Sequence, residues 1–214
     1  MRVRKVKDVQ EKLDQFSSIV IKDYINNKGE WKKFFNNNNP IYLEVGSGKG
    51  QFLIKHAMLN PDINYIGLEK EESVVYKAAL KISNQASKLP NLILINADAI
   101  NIRDIFSDKE VSKIYLNFSD PWPKSKHEKR RLTSDIFLNN MLAIVDGTIE
   151  FKTDNITLFE YSIMQFNKLG LDIIDLKLDL HSEESDIITT EYEDKFTEKG
   201  NRIYYAEIKK AYKV

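Results

Sequence analysis

The residues with the most chemical content lie in one stretch: Asp120-Pro121-Trp122-Pro123-Lys124-Ser125-Lys126-His127-Glu128-Lys129-Arg130-Arg131. Two prolines fix φ and stiffen the chain, and Asp120 before the first is pushed towards an extended backbone. Trp122 offers a flat face on which a base can stack. Between Lys124 and Arg131, six of eight residues are basic or His (Lys124, Lys126, His127, Lys129, Arg130, Arg131). The 214-residue chain balances 32 Lys+Arg against 32 Asp+Glu, so this is a strong local excess of cations. It reads as a phosphate-binding patch beside a site. The plain alternative is a solvated helix start, which the helix dipole disfavours for cations.

A second set of residues is acidic. Glu44 precedes Gly46, Gly48 and Gly50 in a G-x-G-x-G turn. Such glycines let a ligand approach the backbone closely. The spacing is neither the dinucleotide G-x-G-x-x-G nor a P-loop. Glu44 would repel a pyrophosphate but could accept from an ammonium or a hydroxyl. Glu69 can bind both hydroxyls of a ribose, and Asp98 can take the exocyclic amine of an adenine. Each acid alone is more often a helix cap or a solvated loop residue. Together they fit a nucleoside cofactor without phosphate that carries a cationic amino-acid tail, the composition of S-adenosylmethionine.

These residues need a scaffold that brings them together, and the hydrophobic rhythm supplies one. Short apolar runs at Ile41–Val45, Tyr65–Leu68, Leu92–Ile95, Ile114–Phe118 and Thr148–Lys152 read as strands. Helical stretches alternate with them at Gly50–Leu59, Ser73–Gln85, near Ile102–Phe106, near Ser134–Ile144 and at Ile156–Leu169, the last capped by Gly170. Two further runs, Leu171–Leu180 and Arg202–Lys209, are separated by the polar stretch His181–Gly200 and read as an antiparallel pair. The pattern predicts an α/β fold with a doubly wound, mostly parallel seven-stranded sheet and an antiparallel C-terminal strand. Ligands of such sheets sit at the carboxyl ends of the strands, where the strand order reverses. Glu44, Glu69, Asp98, Asp120 and Asp154 all fall at or just after strand ends.

Residues 1–39 differ from the rest. Arg2, Arg4, Lys5 and Lys7 make a basic tip, a helix is expected over Val9–Asn26, and a polar loop runs from Asn36 to Asn39. We read this part as an N-terminal extension to a domain spanning 40–214. The chain has no cysteine, which excludes disulfides, thiolate nucleophiles and Cys-ligated zinc. No metal site is expected. No apolar run approaches a membrane span, and no signal-peptide core is present, so a cytoplasmic protein is expected.

In this order and spacing the motifs resemble those of the bacterial tRNA (guanine-N7-)-methyltransferases, which are Rossmann-like, class I, S-adenosylmethionine-dependent enzymes. Those motifs are Glu44–Gly50, Gly67–Glu69, Asp98-Ala99, Asn117–Arg131, Phe151–Asn155 and Thr190–Glu193. The D-P-W-P-K-x-x-H-x-K-R-R segment is the specific one; the glycine loop indicates only a class I methyltransferase. The resemblance implies methylation of guanine N7 at position 46 in the tRNA variable loop. It implies Glu44, Gly46, Gly48, Glu69, Asp98 and Asp120 on the cofactor side, with Asp120 catalytic. It implies substrate or RNA contacts from Lys124, Lys126, His127, Lys129, Arg130, Arg131, Asp154, Thr190, Glu191, Tyr192 and Glu193. It implies tRNA as the partner, with no membrane, and a monomer or a homodimer is expected. Three rival readings stand beside it. A small-molecule methyltransferase leaves the basic patch idle. A nicotinamide oxidoreductase lacks its glycine motif. A non-catalytic RNA-binding protein leaves Glu44, Glu69 and Asp98 unexplained.

Overall fold

A computed structural model describes residues 5–211; Arg2 and Arg4 of the basic tip lie outside them. Seven strands form the sheet: β1 (Ile41–Val45), β2 (Asn64–Glu69), β3 (Leu92–Asn96), β4 (Val111–Asn117), β5 (Val145–Thr153), β6 (Leu171–Lys177) and β7 (Tyr204–Lys210). Their order is β3-β2-β1-β4-β5-β7-β6. The pairs from β3 through β5 are parallel, and β7 runs antiparallel to both of its neighbours. The predicted sheet, with its single antiparallel C-terminal strand, is the one observed.

The helices fall on both faces. They are α1 (Val9–Asp14), α2 (Trp31–Phe34), α3 (Gln51–Leu59), α4 (Glu72–Ser83), α5 (Ile102–Ile105), α6 (Asp135–Ile144), α7 (Ile156–Lys168), α8 (Leu180–Glu183) and α9 (Glu191–Thr197). Ile41, Leu43 and Val45 of β1 and Phe151 of β5 join the core that also takes in residues of α5, α6 and α7. Residues of α3 and α4 form a second core with Tyr65, Leu92, Leu94 and Tyr115. Strand alternation therefore turns Glu44 and Lys152 to the α3 side. This double coverage is why the central strands read as continuous apolar runs.

Three expectations are corrected. The helix expected over Val9–Asn26 stops at Asp14. The chain beyond it leaves helical geometry so that Val20 can bridge Leu94 of β3, with backbone hydrogen bonds Ile21 N to Leu94 O (2.9 Å) and Leu94 N to Ile19 O (2.7 Å). An otherwise open sheet edge is thereby covered. Trp31 is fully buried in the main core, and its indole N–H donates to the Ile105 carbonyl at 3.0 Å. Second, β4 and β5 begin earlier than expected, at Val111 and Val145, because these residues pair with each other beyond an irregularity in register. Third, the strand expected over Leu171–Leu180 stops at Lys177, and the polar stretch His181–Gly200 holds most of α8 and all of α9.

Candidate active site

The strand order reverses between β1 and β4, and the two chain ends that leave those strands form the site. Gly46, Gly48 and Gly50 have φ of 80°, 55° and 75°, values that side chains rarely adopt. At Gly46 and Gly48 a Cβ would meet nothing within 4 Å. The turn needs glycine for its backbone and leaves open space above it. Glu69 holds this turn from β2: its Oε2 accepts from Gly48 N at 3.1 Å, and its Oε1 accepts from Glu71 N at 3.0 Å. Asp98 follows β3 and accepts from Ile100 N at 3.1 Å.

A cavity of about 530 Å³ runs over these strand ends; Gly46, Glu69, Asp98, Asp120, Trp122 and Arg130 are among its walls. Glu44 does not line it: next to the wall residue Val45, it is only 2 % exposed. Its Oε1 accepts from Asn117 Nδ2 at 2.8 Å, while its Oε2 has no partner. Asn117 Oδ1, Ser47 Oγ and Ser119 Oγ are also buried without partners. Burial pushes the Glu44 carboxyl up to about 8; the Asn117 hydrogen bond and the Lys152 charge oppose this, and Glu69 adds to it. Buried polar atoms left unpaired are costly. Four of them where β1 and β4 end make an acceptor-rich niche that a ligand cation would satisfy.

The loop after β4 is strained. Phe118 and Trp122 have φ of 51° and 41°, although neither is glycine. Asp120 lies between them and is exposed at the cavity wall. Arg131 fixes the loop. Its Nε donates to Pro121 O at 3.0 Å, its Nη2 donates to Trp122 O at 3.1 Å, and its guanidinium lies 4.2 Å from the Tyr161 ring centre. Arg131 is thus buried, with its donors directed at backbone, and a phosphate contact is not what its placement offers. Lys124, Lys126, Lys129 and Arg130 are exposed on or beside a 3₁₀ helix, Ser125–Arg130. Arg130 also sits 4.9 Å over Trp122, and His127 meets the same ring edge-on at 5.7 Å.

The α9 segment closes one side. Tyr192 OH donates to Asp154 Oδ2 at 3.2 Å, and its ring packs on Phe196 and Phe118 at 4.1 and 5.0 Å. Burial and Asp154 raise the Tyr192 hydroxyl to about 12. Glu191 pairs with Lys49 at 2.9 Å and with Lys81. Thr190 and Glu193 form a capping box: Glu193 N donates to Thr190 Oγ1, and Thr190 N donates to Glu193 Oε2. Glu193 is fully buried, and its other oxygen meets His181 Nε2 at 3.0 Å. Thr190 and Glu193 are thereby committed to building the helix, whereas Tyr192 and Asp154 face one another at its open side. Asn117, Lys152, Ser47 and Ser119 were not singled out from sequence, though each sits within a motif that was. The legible signal was a polar residue ending an apolar strand, as in Phe151-Lys152 and Leu116-Asn117.

Among the described residues, no cluster of His, Asp and Glu could hold a metal ion, and no helix is long and apolar enough to cross a membrane. Residues 38–206 match the family described as putative methyltransferase. A tRNA (guanine-N(7)-)-methyltransferase of Oceanobacillus iheyensis is 46 % identical over 207 residues, covering 95 % of this chain and 96 % of that protein. Another, from Bacillus cytotoxicus, is 46 % identical over 212 residues, covering 98 % and 97 %. The fold is also that of a solved antibiotic-related methyltransferase, at a TM-score of 0.65 and 18 % identity, covering 86 % of this chain and 94 % of that one. Nearly full-length identity at this level, on a sheet with carboxylates gathered at its switch point, places the chain in the tRNA (guanine-N(7)-)-methyltransferase family.

Proposed function

We propose that this protein transfers a methyl group from S-adenosylmethionine to N7 of guanine in tRNA, at position 46 of the variable loop. The observation that carries the reading is the pairing of an acceptor-rich niche at β1/β4 with a cationic strip across the same cavity. Glu44 and Asn117 would hold the ammonium of the amino-acid tail. Glu69 would take the ribose hydroxyls, and Asp98 the adenine amine. The niche fits such a cation, since its open atoms are carboxylate, amide and hydroxyl oxygens. When bound, the cosubstrate supplies a methyl on cationic sulfur, which the N7 lone pair takes as the C–S electrons leave with sulfur, so no proton is released.

Catalysis then needs alignment more than acid–base chemistry, and positioning of this kind lowers barriers by about 7–11 kcal/mol. An ionised Asp120 would repel guanine N7 and O6, which are both acceptors, but can accept from N1–H or the 2-amino group. Those donors distinguish guanine from adenine. The purine becomes cationic, so the same carboxylate stabilises the developing charge. Lys124, Lys126, Lys129 and Arg130 would track the RNA backbone, and Tyr192 with Asp154 would flank the base. The test is transfer of labelled methyl to unmodified tRNA transcripts with nucleoside analysis. Label in 7-methylguanosine, lost when the variable-loop guanosine is replaced, is the expected result. Label in another nucleoside overturns the role given to Asp120, and cosubstrate binding without transfer to RNA favours a small-molecule acceptor.

A further inference from the structure

Lys152 is the penultimate residue of β5 and is 4 % exposed, an unusual place for an ammonium group. Three contacts fix it. It lies 3.5 Å from Glu193 Oε1, donates to Ile188 O at 3.3 Å, and sits 5.5 Å over the Phe52 ring. Lys152 is in register with Asn117 on β4, and Asn117 holds Glu44. All three side chains lie at the same end of the sheet. Two buried carboxylates thus flank one buried cation: Glu193, which caps α9, and Glu44, which has an unpaired oxygen.

We propose that Lys152 is a positioning residue of the cosubstrate site: its ammonium is the counter-charge that lets buried Glu44 ionise for a cationic tail, while its bond to Glu193 seats α9. This rests on the reading of Glu44 as the ammonium acceptor. Burial opposes ionisation of Glu44, and of the charged groups nearby among the described residues only Lys152 favours it. Glu69 on β2 opposes it. His56 on α3 is held neutral, at about 4, by its burial and by the Lys152 and Lys113 charges. Tyr115 on β4 is pushed up chiefly by burial, with Glu150, Tyr65, Tyr42 and Glu44 adding to the rise, and stays neutral. A Lys152→Met change removes the cation that offsets the desolvation of Glu44.

The test is a pH titration of the Glu44 side-chain carboxyl by carbon-13 NMR on glutamate-labelled protein, assigned by its disappearance in Glu44→Gln. The expected result is a midpoint raised by about one unit or more in Lys152→Met, a tenfold or larger loss of the ionised fraction. Lys152→Arg should restore the wild-type midpoint. Where Lys152→Met leaves Glu193 too costly to bury and fails to fold, Lys152→Met with Glu193→Gln removes both charges, and an upward shift is still expected, smaller because the Glu193 charge is lost as well. An unmoved midpoint in either variant overturns the proposal. Adding S-adenosylhomocysteine, which carries the ammonium, should lower the midpoint; methylthioadenosine, which lacks it, should not. Equal effects of the two ligands would refute Glu44 as the ammonium acceptor while leaving the Lys152 shift standing.

Discussion

Replacing Glu44 by glutamine should make the ligand-free protein more stable, and increasingly so as pH rises. The Glu44 carboxyl is raised from 4.5 to about 8 in the folded protein. A raised carboxyl binds more protons folded than unfolded, so its stabilising contribution is complete below about 4.5 and is lost as pH rises through about 8. Each pH unit inside that window costs about 1.4 kcal/mol. From pH 5.5 to 8.5 the accumulated loss is about 3 kcal/mol, allowing for partial titration at both ends. For a domain of this size that corresponds to roughly 6–12 °C in melting temperature. The Glu44→Gln protein has no such loss, and the amide oxygen it gains can still accept from Asn117. Thermal or urea unfolding of both proteins across this range should give curves that converge at low pH and separate at high pH. Saturating S-adenosylhomocysteine should flatten the wild-type dependence, because its ammonium compensates the carboxylate. Parallel curves would refute the reasoning: Glu44 would then be ionised or hydrated without its ligand.

Other outcomes follow from the same geometry. Asp120→Asn should lower kcat by about 10²–10³, the scale set by losing one transition-state contact, while calorimetry finds cosubstrate affinity little changed. A collapse of cosubstrate binding would instead make Asp120 a cofactor ligand. Neutralising Lys124, Lys126, Lys129 or Arg130 should flatten the log K against log salt slope for tRNA by about 0.7–0.9 each. Arg131→Met should leave that slope unchanged and cost about 2–4 kcal/mol in denaturant unfolding, since two half-buried carbonyls lose a charged donor. Glu191→Gln weakens the ion pairs from Lys49 and Lys81 to α9, and hydrogen exchange should show faster opening of the α9 amides.

The sheet was legible because β1 to β5 are covered on both faces, which leaves apolar runs with little competing signal. The N-terminal part was not. Phe16–Val20 carries a helical pattern, but pairing of Val20 with Leu94, more than seventy residues away, outweighs local preference. Of the site, Glu44, Glu69, Asp98 and Asp120 are legible as acids following apolar runs; the structure sets Glu69, Asp98 and Asp120 on one cavity and buries Glu44 in β1, two residues before its wall at Gly46. By sequence Arg131 belongs with its basic neighbours as a phosphate ligand. Sequence cannot distinguish a cation turned to solvent from one turned on Pro121 and Trp122 carbonyls. The α9 helix was missed although Thr190-Glu191-Tyr192-Glu193 spells a capping box, S/T-x-x-E. Its scarcity of buried residues explains why: only Glu193 is fully buried, so no hydrophobic periodicity marks it.

The strain around Asp120 explains why Arg131 sits where it does. Phe118 and Trp122 hold left-handed backbone conformations that cost about 1–3 kcal/mol each. Such a loop relaxes unless its surroundings over-determine it. Two hydrogen bonds from a buried guanidinium supply about 1.5–3 kcal/mol apiece, comparable to the cost of the two strained residues. Phe118 N adds a bond to Lys152 O at 2.9 Å, and Arg130 covers the Trp122 ring from outside. A reaction that moves no proton has little use for a tuned acid or base, but it loses rate steeply when the accepting atom drifts from the line of transfer. On that account the two final arginines of the motif divide the work. Arg131 commits its charge to holding the loop, and Arg130 and the lysines leave theirs exposed, open to the phosphates of the proposed RNA substrate. The same division explains how a chain with zero net charge can present a basic surface beside a cavity walled by Glu69, Asp98 and Asp120.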